Sequence, residues 1–247
     1  MSSEVKWPFP ARPGRLWNTA STLTLAAVGG FSKLMMRVLN DVHVYNFAVL
    51  TEAVERRHPA QPLITVSNHA CCMDDPLIWG ILKWRYLCSR KQVRWTLAAE
   101  DICFTNRLHA MFFCLGQTIP VQRGAGVYQR GVDFMVEQLN KGRWVHMFPE
   151  GVGRLIEECQ QTPIVIPIWH VGMDSVLPNV KPYIPRAGKR VTVLVGQPFQ
   201  LHSILTQLRK DQKSPMEKRK VLTDHIQDQF VRLKAETETL HYQTVDS

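Results

Sequence analysis

The chain has 247 residues, 45% of them hydrophobic, which is enough for one sizeable core; no linker or shift in composition divides it, so a second full domain is not expected. Lys and Arg outnumber Asp and Glu by 30 to 21, a net charge of +9 that suits nucleic acid, an acidic protein or an anionic membrane and by itself does not choose. The six cysteines, at 71, 72, 88, 103, 114 and 159, have no zinc or Cys-x-x-Cys spacing and lie mostly in apolar runs, so free thiols are expected and no metal site.

Residues 16–32 carry no charge, with Lys6, Arg12 and Arg15 before them and Lys33 and Arg37 after. Seventeen residues diluted by Asn18, Thr19, Ser21, Thr22 and Thr24 make spanning marginal, without excluding it, against the about 20 mostly apolar residues a spanning helix needs. At helical spacing, Leu16, Ala20, Leu23, Ala27, Phe31, Leu34 and Val38 form one stripe. That stripe, with Trp17 at its entrance, predicts a helix lying in a membrane interface, and residues 1–40 are read as a membrane-associated segment. Residues 41–247 are read as the main domain, with a C-terminal helix.

Apolar runs at 62–67, 93–98, 118–121, 144–148, 164–171 and 191–195 read as strands. Helical patterns at 76–84, 106–115, 127–140 and 153–160 lie between them, so the class is α/β, with a mixed central sheet and flanking helices. Near the end, Ser214, Pro215 and Glu217 make a capping box. A long helix should follow, with Leu222, Ile226, Phe230, Leu233 and Leu240 on its apolar stripe.

Where the first of these strands ends stands Asn68-His69-Ala70-Cys71-Cys72-Met73-Asp74-Asp75-Pro76. Five residues apart on an α-helix, His69 and Asp74 would be about 140° apart around the axis and could not touch. They must lie in a turn. Pro76 supplies it by disfavouring a helical Asp75, which is expected as N-cap, leaving Asp74 to face His69. A carboxylate bonded to one imidazole nitrogen fixes the tautomer, so the other nitrogen can take a proton from a hydroxyl. His69 is then the candidate base, Asp74 its partner and a substrate hydroxyl the nucleophile. An isolated pair of this kind is more often an incidental histidine in a capped turn. Cys72 is the weaker candidate nucleophile, resting on proximity alone. No Gly-x-Ser-x-Gly elbow, Gly-Lys-Ser/Thr phosphate loop or His-Glu-x-x-His occurs.

Three later segments give the pair its meaning: Gly-Gln-Thr-Ile-Pro-Val-Gln-Arg at 116–123, Phe148-Pro149-Glu150-Gly151, and Val165-Ile166-Pro167-Ile168. With the His-four-spacer-Asp motif they follow the motif order of the glycerophospholipid acyltransferase family, which the chain resembles over about residues 60–200. Segments 5–10, 101–105 and 169–173 resemble one branch of that family and extend the likeness over nearly the whole chain.

The resemblance implies that His69 is the base, that Asp74 orients it, and that Arg123 with Glu150 and Gly151 shapes the site for a glycerophosphate head group. A guanidinium can clamp phosphate oxygens through two parallel hydrogen bonds. Glu150 cannot attract phosphate and is assigned to hydroxyl contact or to holding the loop, while Gly151 allows close backbone approach. The implied activity is acyl exchange between phospholipid and lysophospholipid, without coenzyme A or any cofactor. Cardiolipin, monolysocardiolipin and phosphatidylcholine are the implied lipids, and the implied place is a mitochondrial membrane, peripheral or monotopic, facing the intermembrane space. No recognition motif points to nucleic acid. The alternatives are an acyl-CoA-dependent lysophospholipid acyltransferase and an inactive membrane-bound member. The second arises because the family's polar, basic and aromatic stretch after the Glu-Gly block is missing: Gly151 runs straight into Val152-Gly153-Arg154-Leu155-Ile156.

Overall fold

A computed structural model describes residues 7–149 and 151–243. Seven strands form one sheet: β1 (Asp41–Tyr45), β2 (Leu63–Ser67), β3 (Trp95–Ala99), β4 (Thr118–Val121), β5 (Trp144–Met147), β6 (Ile164–Val171) and β7 (Arg190–Val195). Their spatial order is β1-β7-β6-β2-β5-β3-β4. Only the β6/β7 pairing is antiparallel, so the sheet is mixed, as the sequence predicts. The helices are α1 (Arg15–Lys33), α2 (Phe47–Glu55), α3 (Asp74–Ile78), α4 (Trp84–Leu87), α5 (Glu100–Cys103) and α6 (Arg107–Leu115). They continue with α7 (Arg130–Asn140), α8 (Val152–Glu158), α9 (Met173–Val176), α10 (Leu201–Lys210) and α11 (Pro215–Gln243).

Side-chain alternation along the central strands feeds two cores. Leu63, Trp144, Ile166, Ile168 and Val193 join Met36, Leu50, Leu77 and Trp79 on one face. Ile64, Val66, Val145 and Val165 join Met135, Leu155, Leu222 and Ile226 on the other. The strands are buried on both sides, which is why they read as continuous apolar runs. All six cysteines are unbridged. The capping box forms as predicted: the Ser214 amide donates to Glu217 Oε2 at 2.9 Å and the Glu217 amide to Ser214 Oγ at 3.3 Å.

Two expectations need correction. The region 76–84 is not one helix: α3 passes into a 3₁₀ turn at Trp79–Ile81, and α4 follows separately. Gly80 lies so close to the Ser32 carbonyl that any side chain there would collide with it, so this turn is shaped by tight packing beneath α1. Asp75 is no N-cap either. The helix starts at Asp74, two residues earlier than expected, with Met73 as N-cap, and the Asp75 carboxylate instead accepts from Trp79 Nε1 at 3.0 Å and pairs with Arg94. That buried ion pair outcompetes a local cap.

Helix α1, extended by a π-helical turn to Leu39, packs on α3, α4 and α6 with an unusual face. Its buried side is mostly small: Ser21, Gly29 and Ser32 around Leu25, with Ser21 Oγ donating to the Leu115 carbonyl at 2.6 Å. The predicted apolar stripe faces outward, with Leu16 89%, Leu23 66% and Val38 71% exposed.

Candidate active site

The five strands β2 to β6 run in one direction, so the segments leaving β2, β5, β3 and β4 gather at one edge of the sheet. That edge is where ligands bind in open α/β sheets. His69 follows β2, Phe148 follows β5 and Arg123 follows β4.

The pair expected from the sequence is formed. His69 Nδ1 lies 2.9 Å from Asp74 Oδ2, with His69 in the loop and Asp74 at the first position of α3. The same oxygen accepts the backbone N–H groups of Ala70 at 2.5 Å and Cys71 at 2.8 Å, so the carboxylate itself folds the loop that presents His69. Burial of Asp74, 1% exposed, pushes its carboxyl upward, but the His69 hydrogen bond, the nearby His170 and the two amides outweigh burial and leave it below the ordinary carboxylate range. An ionised Asp74 holds the proton of His69 on Nδ1, which leaves Nε2 with the lone pair that a base requires. The Phe148 ring stacks on the imidazole, with centroids 4.1 Å apart and planes at 24°, and fixes the ring's plane.

Other groups lock this loop that the sequence did not reveal. Asn68 exchanges two hydrogen bonds of 2.9 Å with the backbone of His170 on β6, tying the start of the loop to the neighbouring strand. His170 is buried, donates from Nε2 to the Asn68 carbonyl at 3.1 Å, and has that nitrogen 3.8 Å from Asp74 Oδ1. Asn179 accepts from the Cys72 amide at 3.1 Å and donates to the Ala70 carbonyl at 2.9 Å. A partner 107 residues away leaves no local signal. Cys72 is exposed and burial still pushes its thiol upward, so it lacks the thiolate character of a nucleophile.

Beneath the loop, Arg94 pairs with Asp75 and donates to the Gly116 carbonyl at 3.3 Å, bracing α3 against the end of α6. Behind it, His146 on β5 lies 3.0 Å from Thr65 Oγ1 and edge-on to Trp79; burial holds its pKa down at about 4, so it is neutral.

The remaining candidates are spread along the edge. Arg123 is exposed and pairs with Asp101. Three strand spacings separate β4 from β2, about 14 Å, so Arg123 does not join the His69–Asp74 pair directly. Glu150 lies outside the described residues. Gly151 adopts φ 81°, a left-handed conformation that favours glycine, and caps α8 directly, so the short connection after the Glu-Gly block closes without an intervening loop. Arg154 behind it is buried and pairs with Asp133 and Glu158.

The comparisons define the class of protein that carries this sheet edge and its histidine–aspartate pair: it is an acyltransferase. The Acyltransferase family model matches residues 48–170. The fold is similar to that of the 1-acyl-sn-glycerophosphate acyltransferase PlsC from Thermotoga maritima, with a TM-score of 0.50 and 18% identity over 87% of this chain and 83% of that one. Tafazzin from Drosophila melanogaster is 44% identical over 98% of this chain and 68% of its own length. N-acylphosphatidylethanolamine synthase from Arabidopsis thaliana is 34% identical over 81% of this chain and 77% of its own. The chain belongs to the tafazzin family and is a phospholipid acyltransferase.

Proposed function

We propose that the chain exchanges acyl groups between a phospholipid and a lysophospholipid without coenzyme A, remodelling cardiolipin from donors such as phosphatidylcholine. The observation that carries this reading is the His69–Asp74 hydrogen bond of 2.9 Å at the open edge of the sheet. His69 Nε2 takes the proton of the lysolipid hydroxyl while that oxygen attacks the donor's ester carbonyl carbon. The new C–O bond forms, the donor's C–O bond breaks, and the proton passes from His69 to the departing lysolipid oxygen. No acyl-enzyme is required. Arg123, with Glu150 and Gly151, contacts the glycerophosphate part of the lipid; a diacylglycerophosphate easily extends over the about 14 Å between the strands that carry His69 and Arg123.

The outward stripe of α1 supports attachment at an interface. The helix Arg15–Leu39 is long and apolar enough to cross a membrane by length and composition, but its small-residue side is packed on the domain, which favours lying in the interface. By family resemblance we assign the protein to mitochondrial membranes facing the intermembrane space. A second reading, transfer from acyl-CoA, uses the same pair on a thioester. Supplying labelled acyl-CoA and labelled phosphatidylcholine separately to the vesicle-bound protein distinguishes them: transfer from phosphatidylcholine alone supports the proposal, and strict dependence on acyl-CoA overturns it.

A further inference from the structure

At the opposite edge of the sheet lies a cavity of about 740 Å³ that the acyl-transfer site does not use. We infer that it binds the phosphate of an anionic phospholipid head group, at a site separate from the one that carries out acyl transfer. Lys91 and Arg143 line it just before β3 and β5, whereas His69 and Phe148 follow the far ends of β2 and β5. The length of β5 alone separates the two edges by about 13 Å.

One wall is aromatic: Trp7, Phe9, Trp95 and Phe134 pack with ring centroids 5.3 to 5.7 Å apart and pin the N-terminal strap against α7 and β3. The other wall is basic. Arg90, Lys91, Arg130, Lys141 and Arg143 all border the cavity, against Asp133 and Glu137. Those two carboxylates are engaged by Arg154 and Lys141. Among the described residues, Arg90, Lys91, Arg130 and Arg143 have no carboxylate partner, although Arg130 stacks on the Trp7 ring, and the buried Nε of Arg90 has no hydrogen-bond acceptor. Burial disfavours the charge of Arg90, and the nearby Arg143 adds to this. A concentration of unneutralised guanidinium and ammonium groups is what a phosphate diester relieves.

The lipid source of that phosphate follows from α1. Trp17 and Asn18 line the cavity, and Arg90 donates to Asn18 Oδ1. The outward stripe starts beside them with Leu16 and continues through Leu23. A lipid whose chains lie along that stripe has its head group at the cavity mouth. The inference therefore rests on the interfacial reading of α1.

Binding of the full chain to phosphatidylcholine vesicles, with and without phosphatidylglycerol, tests both separately. The Arg90→Gln/Lys91→Gln variant should lose about tenfold in affinity for the phosphatidylglycerol vesicles, and keep its affinity for pure phosphatidylcholine. A Lys220→Gln/Lys234→Gln control removes the same charge on α11, and equal loss in the two double variants would mean that only net charge matters and would overturn the site. If the first variant does not fold, Lys91→Glu, at an exposed side chain with no bonded partner, is read the same way. A parent chain that binds neither vesicle sinks the interfacial reading itself. Melting with inorganic phosphate at fixed ionic strength separates the sources: stabilisation of the parent that the variant lacks, in a variant that keeps its affinity for the phosphatidylglycerol vesicles, assigns the cavity to free phosphate and overturns the lipid.

Discussion

Asp74 has two jobs that one substitution separates. Its carboxylate sets the His69 tautomer and closes the loop through the Ala70 and Cys71 amides. Asp74→Asn keeps the size but can donate where it should accept, so activity should fall by about 10² to 10⁴ with the chain still folded. Circular dichroism alongside acyl-transfer rates checks this, and near-normal turnover would remove Asp74 from the mechanism. The buried His146 gives the protein a second, independent pH signature. Its native pKa of about 4 lies below that of a free imidazole, so as pH falls the unfolded chain binds the proton first and stability declines. The loss runs from about pH 6.5 down to about pH 4 and is on the order of 3 kcal/mol if His146 acts alone. The depressed carboxyl of Asp74 acts later, its contribution vanishing only as pH drops through its lowered pKa. Urea midpoints at pH 7 and pH 5 should therefore differ more for the parent than for His146→Gln; equal slopes contradict the assignment. At this scale the pair itself was legible, because only a turn could bring residues 69 and 74 together. Asn179, His170 and the stacked Phe148 were not, since their roles depend on distant segments meeting at one sheet edge.

Among the elements, α3 is held by charge. Arg94 is buried against Asp75, so Arg94→Gln leaves an uncompensated carboxylate and should cost about 3 to 5 kcal/mol in chemical denaturation. A change under about 1 kcal/mol would mean that Asp75 is already solvated. Helix α1 is held by close approach, and its outward residues are spare. Leu16→Asp/Leu23→Asp should leave the melting temperature nearly unchanged while lowering vesicle binding by more than tenfold, since each charged group resists burial in the interface. Loss of folding instead would mean that the stripe packs on the domain. The sequence shows the stripe but not its direction: apolar periodicity says which residues share a face, and only the small residues Ser21, Gly29 and Ser32 opposite say which face the domain takes.

For the whole molecule, six of the seven strands and the long C-terminal helix were readable, because β2, β5, β6 and β7 are covered on both faces and leave unbroken apolar runs. The seventh, β1, is an edge strand of Asp-Val-His-Val-Tyr, exposed or half-buried throughout, with no run to read. Sheet order was not readable, since the pairings of β2 with β5 and β6 join segments about 80 and 100 residues apart. Gly151 leads directly into α8, which packs on α11. The sheet edge and the His69–Asp74 hydrogen bond are both in place despite the short connection. The most direct measurement is transfer of a labelled acyl chain from phosphatidylcholine to lysocardiolipin without coenzyme A, for the parent chain and His69→Ala in the same vesicles. Transfer by the parent that falls by about 10² or more in the variant is the predicted result; a folded, vesicle-bound parent that transfers no more than His69→Ala would contradict it.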